Sequence, residues 1–153
     1  MRVAIASDHA GFLQKKPLVA FIESLGCAVQ DYGPTTDDRC DYPDYADQVA
    51  RAVASGEADR GVLICGTGLG MALTADKVEK VRAVSVQTPE FARLARQHND
   101  ANIVCLSGRF VSLAANCEVV HVFLTTDFAG GRHAGRVAKI MREDDPAFGG
   151  VKS

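Results

Sequence analysis

The stretch Gly61-Val62-Leu63-Ile64-Cys65-Gly66-Thr67-Gly68-Leu69-Gly70 joins a short apolar run to a turn of alternating glycines around one cysteine. The run is too short for a helix and ends in glycine, so it predicts a buried strand over Val62 to Ile64. The next residues, Met71 to Lys77, favour a helix. In a unit of strand, glycine turn and helix, the backbone N–H groups of the turn converge and can hold an anion. Alternatively, the glycines only permit a tight turn, and Cys65 is a small buried apolar side chain.

Composition indicates one compact domain and excludes two kinds of partner. The chain has 153 residues, 47% of them hydrophobic, and a formal net charge of -2 with both signs interspersed. We therefore predict a single domain over residues 1–153 and no nucleic-acid partner, because a basic surface is missing. No apolar run approaches the roughly 20 residues of a membrane span, and the N-terminus does not resemble a signal peptide. These features predict a cytoplasmic protein with no membrane partner.

The cysteines and histidines show no pattern of a disulfide framework or a metal site. The five cysteines are scattered and lack a Cys-x-x-Cys pair, which predicts free thiols. The four histidines lie at no metal-ligand spacing, so we predict no metal. The glycine turn also lacks both nucleotide motifs: Met71 replaces the third glycine of a dinucleotide fingerprint, and Lys77 is predicted well inside the following helix. We therefore predict no cofactor.

Strands and helices alternate along the rest of the chain. The predicted strands cover residues 2–7, 27–32, 62–64, 82–87 and 102–106, and the predicted helices cover residues 12–25, 44–54, 71–77, 89–97 and 112–124, with a last helix from Arg132 or His133. Pro17 is tolerated if the first helix starts near Leu13 or Gln14, and otherwise it kinks that helix. The pattern predicts an α/β fold of three layers: a five-stranded parallel sheet with helices on both faces, Rossmann-like.

Polar residues follow three of the predicted strands. Asp8-His9, Cys65 to Gly70 and Arg109 each come directly after a strand. In open parallel sheets ligands bind beyond the carboxyl ends of the strands, so we expect the site at that edge.

Two arginines and a histidine further along the chain are also candidates. Arg132 and Arg136 are four residues apart, so on a helix they share one face and could clamp a phosphate. Alternatively, they are solvated surface charges. His98 stands at a predicted helix end with Asn99 and Asp100 beside it.

Five motifs together resemble the type B ribose-5-phosphate isomerases, a family that also holds galactose-6-phosphate isomerase subunits and allose-6-phosphate isomerases. The motifs are Ser7-Asp8-His9-Ala10-Gly11, Asp41-Tyr42-Pro43, Ile64-Cys65-Gly66-Thr67-Gly68-Leu69-Gly70, Arg96-Gln97-His98-Asn99-Asp100-Ala101-Asn102, and Gly130-Gly131-Arg132-His133 through Arg136-Val137. They occur in family order from the first strand to about Met141.

The resemblance implies an aldose–ketose isomerase that needs neither metal nor nucleotide. It implies that Cys65 is the base that moves a proton between C1 and C2 and that His98 opens the furanose ring. Thr67 and the N–H groups of Gly66, Gly68, Leu69 and Gly70 would hold the oxyanion of the cis-enediolate. Some relatives instead use a glutamate at the position of Met71, so this chain follows the cysteine version.

The resemblance also implies the remaining substrate contacts and the assembly. Asp8 and Asn99 would contact sugar hydroxyls, and Tyr42 would line the pocket. The implied phosphate ligands are His9, Arg109, Arg132 and Arg136. The family implies a homodimer or homotetramer whose active site is completed at the subunit interface, with the C-terminal helix extending to a partner subunit.

Two alternatives remain open from the sequence. The same chemistry could act on another sugar phosphate, such as allose 6-phosphate, galactose 6-phosphate or a tetrose phosphate. The chain could also be a non-catalytic sugar-phosphate-binding domain, although such a domain would not need Cys65, Thr67 and His98, which are all present.

Overall fold

The structure is a computed structural model that describes residues 1–147; the last residues of the predicted domain, 148–153, lie outside the described part. Within residues 1–147 the strands are β1 (Arg2–Ser7), β2 (Ala28–Asp31), β3 (Arg60–Cys65), β4 (Ala83–Ser85) and β5 (Ile103–Ser107), and the helices are α1 (Phe12–Ser24), α2 (Tyr42–Ala54), α3 (Leu69–Ala75), α4 (Pro89–Asn99), α5 (Leu113–Thr125) and α6 (Arg132–Met141). The strands form one sheet in the order β2-β1-β3-β5-β4, with every pair parallel. The predicted five-stranded parallel α/β fold is confirmed.

The three central strands of the sheet, β1, β3 and β5, are buried on both faces. Along β1, Val3 and Ile5 belong to one apolar cluster, whereas Ala4 and Ala6 belong to the other. Successive side chains of a strand point to opposite faces, so each face of the sheet carries its own core. This arrangement explains the apolar runs of the central strands, because a parallel sheet covered by helices needs apolar residues on both sides.

The first helix contains a proline beyond its first turn. The Gly11 carbonyl accepts the N–H groups of Gln14 and Lys15, and α1 begins at Phe12. The predicted start at Phe12 is therefore confirmed, and Pro17 is the sixth residue of α1, beyond the first turn where a proline is tolerated. A proline at this position leaves one carbonyl of the preceding turn without its usual helical donor.

Other helix boundaries differ from the prediction by up to two residues. Helix α2 begins at Tyr42, two residues before the predicted Asp44, because Pro43 fits the first turn. Helix α3 ends at Ala75, so Lys77 lies outside it. The chain turns there toward β4, since the next residue, Asp76, accepts the N–H of Ala83 at 2.7 Å.

A buried lysine anchors the long loop after β2. The Lys15 ammonium donates to Asp31 Oδ1 at 2.8 Å and to the Pro34 carbonyl at 2.6 Å. At the other end of this loop, His9 Nδ1 lies 3.1 Å from the Cys40 carbonyl oxygen. The loop is therefore fastened near both of its ends.

Among residues 1–147, no helix is long and apolar enough to cross a membrane.

Candidate active site

The turns after β1, β3 and β5 pack directly against one another at the carboxyl edge of the sheet. A Cβ atom on Gly11 would lie 2.6 Å from the Ile64 carbonyl oxygen, and one on Gly108 would lie 2.9 Å from the Ala10 carbonyl oxygen. Only glycine permits so close an approach of backbones. These contacts bring the three polar turns predicted from the sequence to one place.

Cys65 occupies the centre of this edge. It is the last residue of β3, its side chain is buried, and its Sγ accepts the N–H of Gly68 at 3.1 Å. Gly68 has a φ of 81°, and a Cβ there would lie 2.9 Å from Ser85 Oγ, so the turn requires glycine. The N–H donor therefore fixes the sulfur at the centre of the glycine turn.

The neighbouring thiol of Cys105 differs in its environment. Cys105 lies in the same core cluster as Cys65 but is completely buried. Burial raises the pKa of the Cys105 thiol well above its usual value, and the charges of Asp76 and Cys65 add to the effect. Cys105 is therefore an inert core thiol.

The rest of the glycine turn is lined by predicted site residues. Thr67 Oγ1 accepts the N–H of Leu69 at 3.3 Å. The ring of Tyr42 lies against Gly70, where an added Cβ would come within 2.6 Å of it. On the other side, Arg109 lies so close that a Cβ on Gly66 would sit 3.3 Å from its Nη1.

The turn after β1 supplies the remaining residues at this edge. Asp8 is buried, and its Oδ1 accepts the N–H groups of Ala10 and Gly11 at 2.8 and 3.1 Å. His9 is half-buried, and its Nδ1 faces the backbone of Cys40. We call the predicted site residues at this edge the carboxyl-edge group: Asp8, His9, Tyr42, Cys65, Gly66, Thr67, Gly68, Leu69, Gly70 and Arg109.

His98 and Asn99 lie at the opposite edge of the sheet. They end α4, which runs back from the carboxyl end of β4 to the start of β5. The carboxylate of Asp100, which follows them, accepts bonds from Arg96 at 2.8 Å and from Arg82 at 3.2 Å. Arg96 is 2% exposed, so this pair holds the end of α4 in place.

A second histidine stacks on His98. The rings of His98 and His133 are 4.2 Å apart between centroids and 12° from parallel. Burial lowers the pKa of His133, and the charges of His98, Arg132 and Arg136 lower it further. The sequence motif at 130–133 contained His133, but we did not predict it as a site residue because the spacing of the histidines alone gave it no role.

Arg132 and Arg136 lie on α6 as the i, i+4 spacing predicts, and both are exposed. They share this end of the sheet with the stacked histidines. We call the predicted site residues here the amino-edge group: His98, Asn99, Arg132 and Arg136.

One chain does not bring the two groups together. Cys65 pairs in register with Ser107, the last residue of β5. The amino-edge group lies near Ala101, just before the first residue of β5. The six residue steps between these levels span about 20 Å at the rise of a parallel strand. Among residues 1–147, histidine, cysteine, aspartate and glutamate form no group of three or more that could hold a metal ion.

Comparisons with known proteins agree over nearly the whole chain. Residues 3–140 match the family described as ribose/galactose isomerase. Ribose-5-phosphate isomerase B of Escherichia coli is 44% identical over 139 residues, which cover 91% of this chain and 93% of that protein. The solved ribose-5-phosphate isomerase B of Clostridium thermocellum has a TM-score of 0.92 at 44% identity, with 94% of this chain and 97% of that chain covered. That of Mycoplasma genitalium, solved with bound ribulose-5-phosphate, has a TM-score of 0.90 at 43% identity, with 95% and 97% covered.

Proposed function

The chain belongs to the ribose/galactose isomerase family, and we propose that its substrates are ribose 5-phosphate and ribulose 5-phosphate. It is a sugar-phosphate isomerase, like its relatives. The Mycoplasma genitalium relative binds ribulose-5-phosphate, which supports a pentose phosphate as substrate here. The observation that carries the proposed chemistry is the buried sulfur of Cys65, which accepts the Gly68 N–H at the centre of the carboxyl edge.

In the proposed reaction Cys65 is the base. Its thiolate removes the proton from C2 of the open-chain aldose, the electron pair forms the C1–C2 double bond, and the electrons of the C1 carbonyl move onto O1 to give an enediolate. A proton passes from O2 to O1, and the Cys65 thiol returns its proton to C1 as C2 becomes the carbonyl carbon of the ketose. A C–H bond beside a carbonyl is a weak acid, so the base must act while the developing charge is stabilised. The Gly68 N–H holds the sulfur in place before the proton moves.

The negative oxygen of the enediolate would be held by the glycine turn. Thr67 and the backbone N–H groups from Gly66 to Gly70 would surround the substrate carbonyl beside Cys65. In the free chain the N–H groups of Gly68 and Leu69 bond Cys65 Sγ and Thr67 Oγ1. Backbone donors fixed by the fold need no rearrangement when the charge appears. Asp8 and Tyr42, which adjoin this turn, would contact the sugar.

The two edge groups act together only if the site is shared between two copies. In the substrate, the C2 proton and the ring oxygen that must be released are a few bonds apart, so Cys65 and His98 must both reach the same small molecule. Within one chain they are separated by about the length of a strand, roughly 20 Å. We therefore propose a homodimer, or a homotetramer of such pairs, in which the amino-edge group of one copy completes the carboxyl-edge group of its partner.

The surface around the carboxyl-edge group supports such a partner. Leu69 and Leu73 are 58% and 70% exposed and lie one turn apart on α3. Exposed apolar side chains beside a polar site are typical of a surface that another chain covers. Within α6, all of which the structure describes, His133 is the one buried residue, which supports the predicted extension of this helix toward a partner.

The substrate phosphate would be bound by cations from both copies. His9 and Arg109 lie at the carboxyl edge, and Arg132 and Arg136 would come from α6 of the partner copy. Guanidinium groups bind phosphate through charge-assisted hydrogen bonds, often in pairs. The exposure of Arg132 and Arg136 in a single chain is consistent with such a shared role.

The position used by a glutamate in some relatives lies in the core here. Met71 is fully buried, which supports Cys65 as the base. A non-catalytic binding domain would need the arginines but neither a base nor a ring opener, so the retention of Cys65, Thr67 and His98 favours the enzyme.

A coupled isomerase assay over several sugar phosphates tests this proposal. We expect the highest kcat/KM with ribose 5-phosphate and lower values with allose 6-phosphate, galactose 6-phosphate and a tetrose phosphate. A higher kcat/KM with one of the others would reassign the substrate within the same chemistry. Binding of all four without turnover of any would instead identify a sugar-phosphate-binding domain.

A further inference from the structure

Ser107 connects two of the turns at the carboxyl edge. It ends β5 and is 1% exposed. Its hydroxyl donates to the Gly66 carbonyl oxygen at 2.7 Å and accepts the N–H of Phe110 at 3.1 Å. The side chain therefore ties the glycine turn after β3 to the turn after β5.

The neighbouring carbonyl groups of the glycine turn are held in the same direction. The Cys65 carbonyl accepts the N–H of Gly108 at 2.8 Å, and the Gly66 carbonyl also accepts the N–H of Arg109 at 3.2 Å. In a trans peptide unit the C=O and the following N–H point in opposite directions. The N–H groups of Gly66 and Thr67 must therefore point away from β5, toward β1 on the other side of β3.

Successive N–H groups that point to one side form a concave site for negative charge. The turn that carries Asp8 and His9 follows β1 and lies on that side of the glycine turn. A substrate between these two turns would have its carbonyl oxygen in front of the two N–H groups.

We propose that Ser107 is a positioning residue of the isomerase, which aims the Thr67 N–H at the enediolate oxygen by fixing the carbonyl of Gly66. The inference rests on the proposed function. A donor that is fixed before the reaction stabilises the transition state more than the ground state, because charge develops on that oxygen only as the proton leaves C2. Ser107 itself does not touch the substrate.

Replacement of Ser107 by alanine tests this role. Loss of one oxyanion-hole donor typically lowers kcat by about 10²–10³. In Ser107→Ala the Arg109 N–H still holds the Gly66 carbonyl, so we expect a smaller fall, about 10- to 100-fold in kcat. The inhibition constant of inorganic phosphate should stay within about twofold, because the phosphate ligands are untouched.

Binding of two inhibitors distinguishes positioning from a general structural effect. A phosphorylated aldonohydroxamate carries a planar anionic head that mimics the enediolate, whereas an acyclic polyol phosphate of the same length carries no such charge. By calorimetry, Ser107→Ala should weaken the hydroxamate by about the factor lost in kcat/KM and leave the polyol phosphate unchanged. A purely structural role would weaken both inhibitors alike.

The chain offers a matched control at the end of another strand. Ser7 ends β1, is fully buried, and has a hydroxyl with no hydrogen-bond partner within residues 1–147. Ser7→Ala removes an equally buried hydroxyl and should leave kcat and both affinities unchanged. Ser107→Thr restores the hydroxyl and should recover activity, whereas Ser107→Cys keeps only a weak donor and should resemble the alanine variant.

Three results would overturn the role of Ser107: an unchanged ratio of hydroxamate to polyol phosphate affinity, an equal loss in Ser7→Ala, or full activity in both Ser107→Ala and Ser107→Cys. A wild-type protein that binds the hydroxamate but does not turn over ribose 5-phosphate would count against the proposed substrate only, since the affinity ratio still decides the role of Ser107. A wild-type protein that binds neither inhibitor would overturn both proposals.

Discussion

Mixing two inactive variants should restore activity if the site is shared between copies. Cys65→Ala removes the proposed base from the carboxyl-edge group, and general-base catalysis is typically worth about 10²–10⁴ in rate. His98→Asn removes the proposed ring-opening group from the amino-edge group. In a mixed pair of chains, one shared site carries both substitutions and the other carries neither.

The expected recovery follows from the geometry of the chain. The strand between the two edges keeps Cys65 and His98 of one chain about 20 Å apart, so each intact site must combine them from different chains. Random pairing of equal amounts makes half of the dimers mixed, and each mixed dimer has one intact site of two. The mixture should therefore reach about one quarter of wild-type activity, and purified mixed dimers about one half.

The assay is coupled turnover of ribose 5-phosphate after the two variants are unfolded together and refolded, with different affinity tags to isolate the mixed dimers. Cys65→Ala mixed with Thr67→Ala is the matched control. Both substitutions lie in the carboxyl-edge group, so every site in that mixture is defective and no activity should return. Activity of the Cys65→Ala and His98→Asn mixture that stays at the mean of the two parents would refute the shared site.

The remaining predictions concern ring opening, phosphate and pH. His98→Asn should slow ribose 5-phosphate far more than a four-carbon aldose 4-phosphate, which cannot close a furanose ring because its O4 carries the phosphate; equal losses in kcat would contradict ring opening. Arg136→Ala should weaken inhibition by inorganic phosphate about 10- to 100-fold, because each charge-assisted bond is worth roughly 1.5–3 kcal/mol, and unchanged inhibition in both Arg132→Ala and Arg136→Ala would exclude the clamp. Burial lowers the pKa of His133 below its usual 6.5, so the unfolded state binds the proton more readily than the folded state does. The contribution of neutral His133 to the free energy of unfolding should therefore be fully present above about pH 6.5 and decrease on acidification. His133→Phe, which cannot be protonated, should reduce that fall in urea titrations, and an identical acid slope in the variant would contradict the assignment.

The sequence predicted the sheet well because its central strands are buried on both faces. Uninterrupted apolar runs such as the one at Val62 to Ile64 identify such strands without help from distant residues. The residues of the carboxyl edge could be predicted equally well, because Cys65 and Asp8 directly follow predicted strands and parallel strands end at one edge of the sheet.

Helix boundaries and tertiary partners were harder to predict because they depend on contacts that are distant in sequence. Helix α1 tolerates Pro17 in its interior, and Lys77 is left out of α3 where Asp76 binds the backbone at the start of β4. The stacking of His133 on His98 joins two helices separated by β5 and α5. No local periodicity reports a contact of that kind.

The buried ammonium of Lys15 gives the protein an internal chemical reporter of local opening. Its bonds to Asp31 and Pro34 shield it from acylating reagents, whereas the next residue, Lys16, is exposed. The ratio of the acetylation rates of these two adjacent amines therefore measures how often the loop after β2 detaches from α1. Since the same loop meets His9 through Cys40, a ligand that holds His9 should slow the labelling of Lys15 and leave that of Lys16 unchanged.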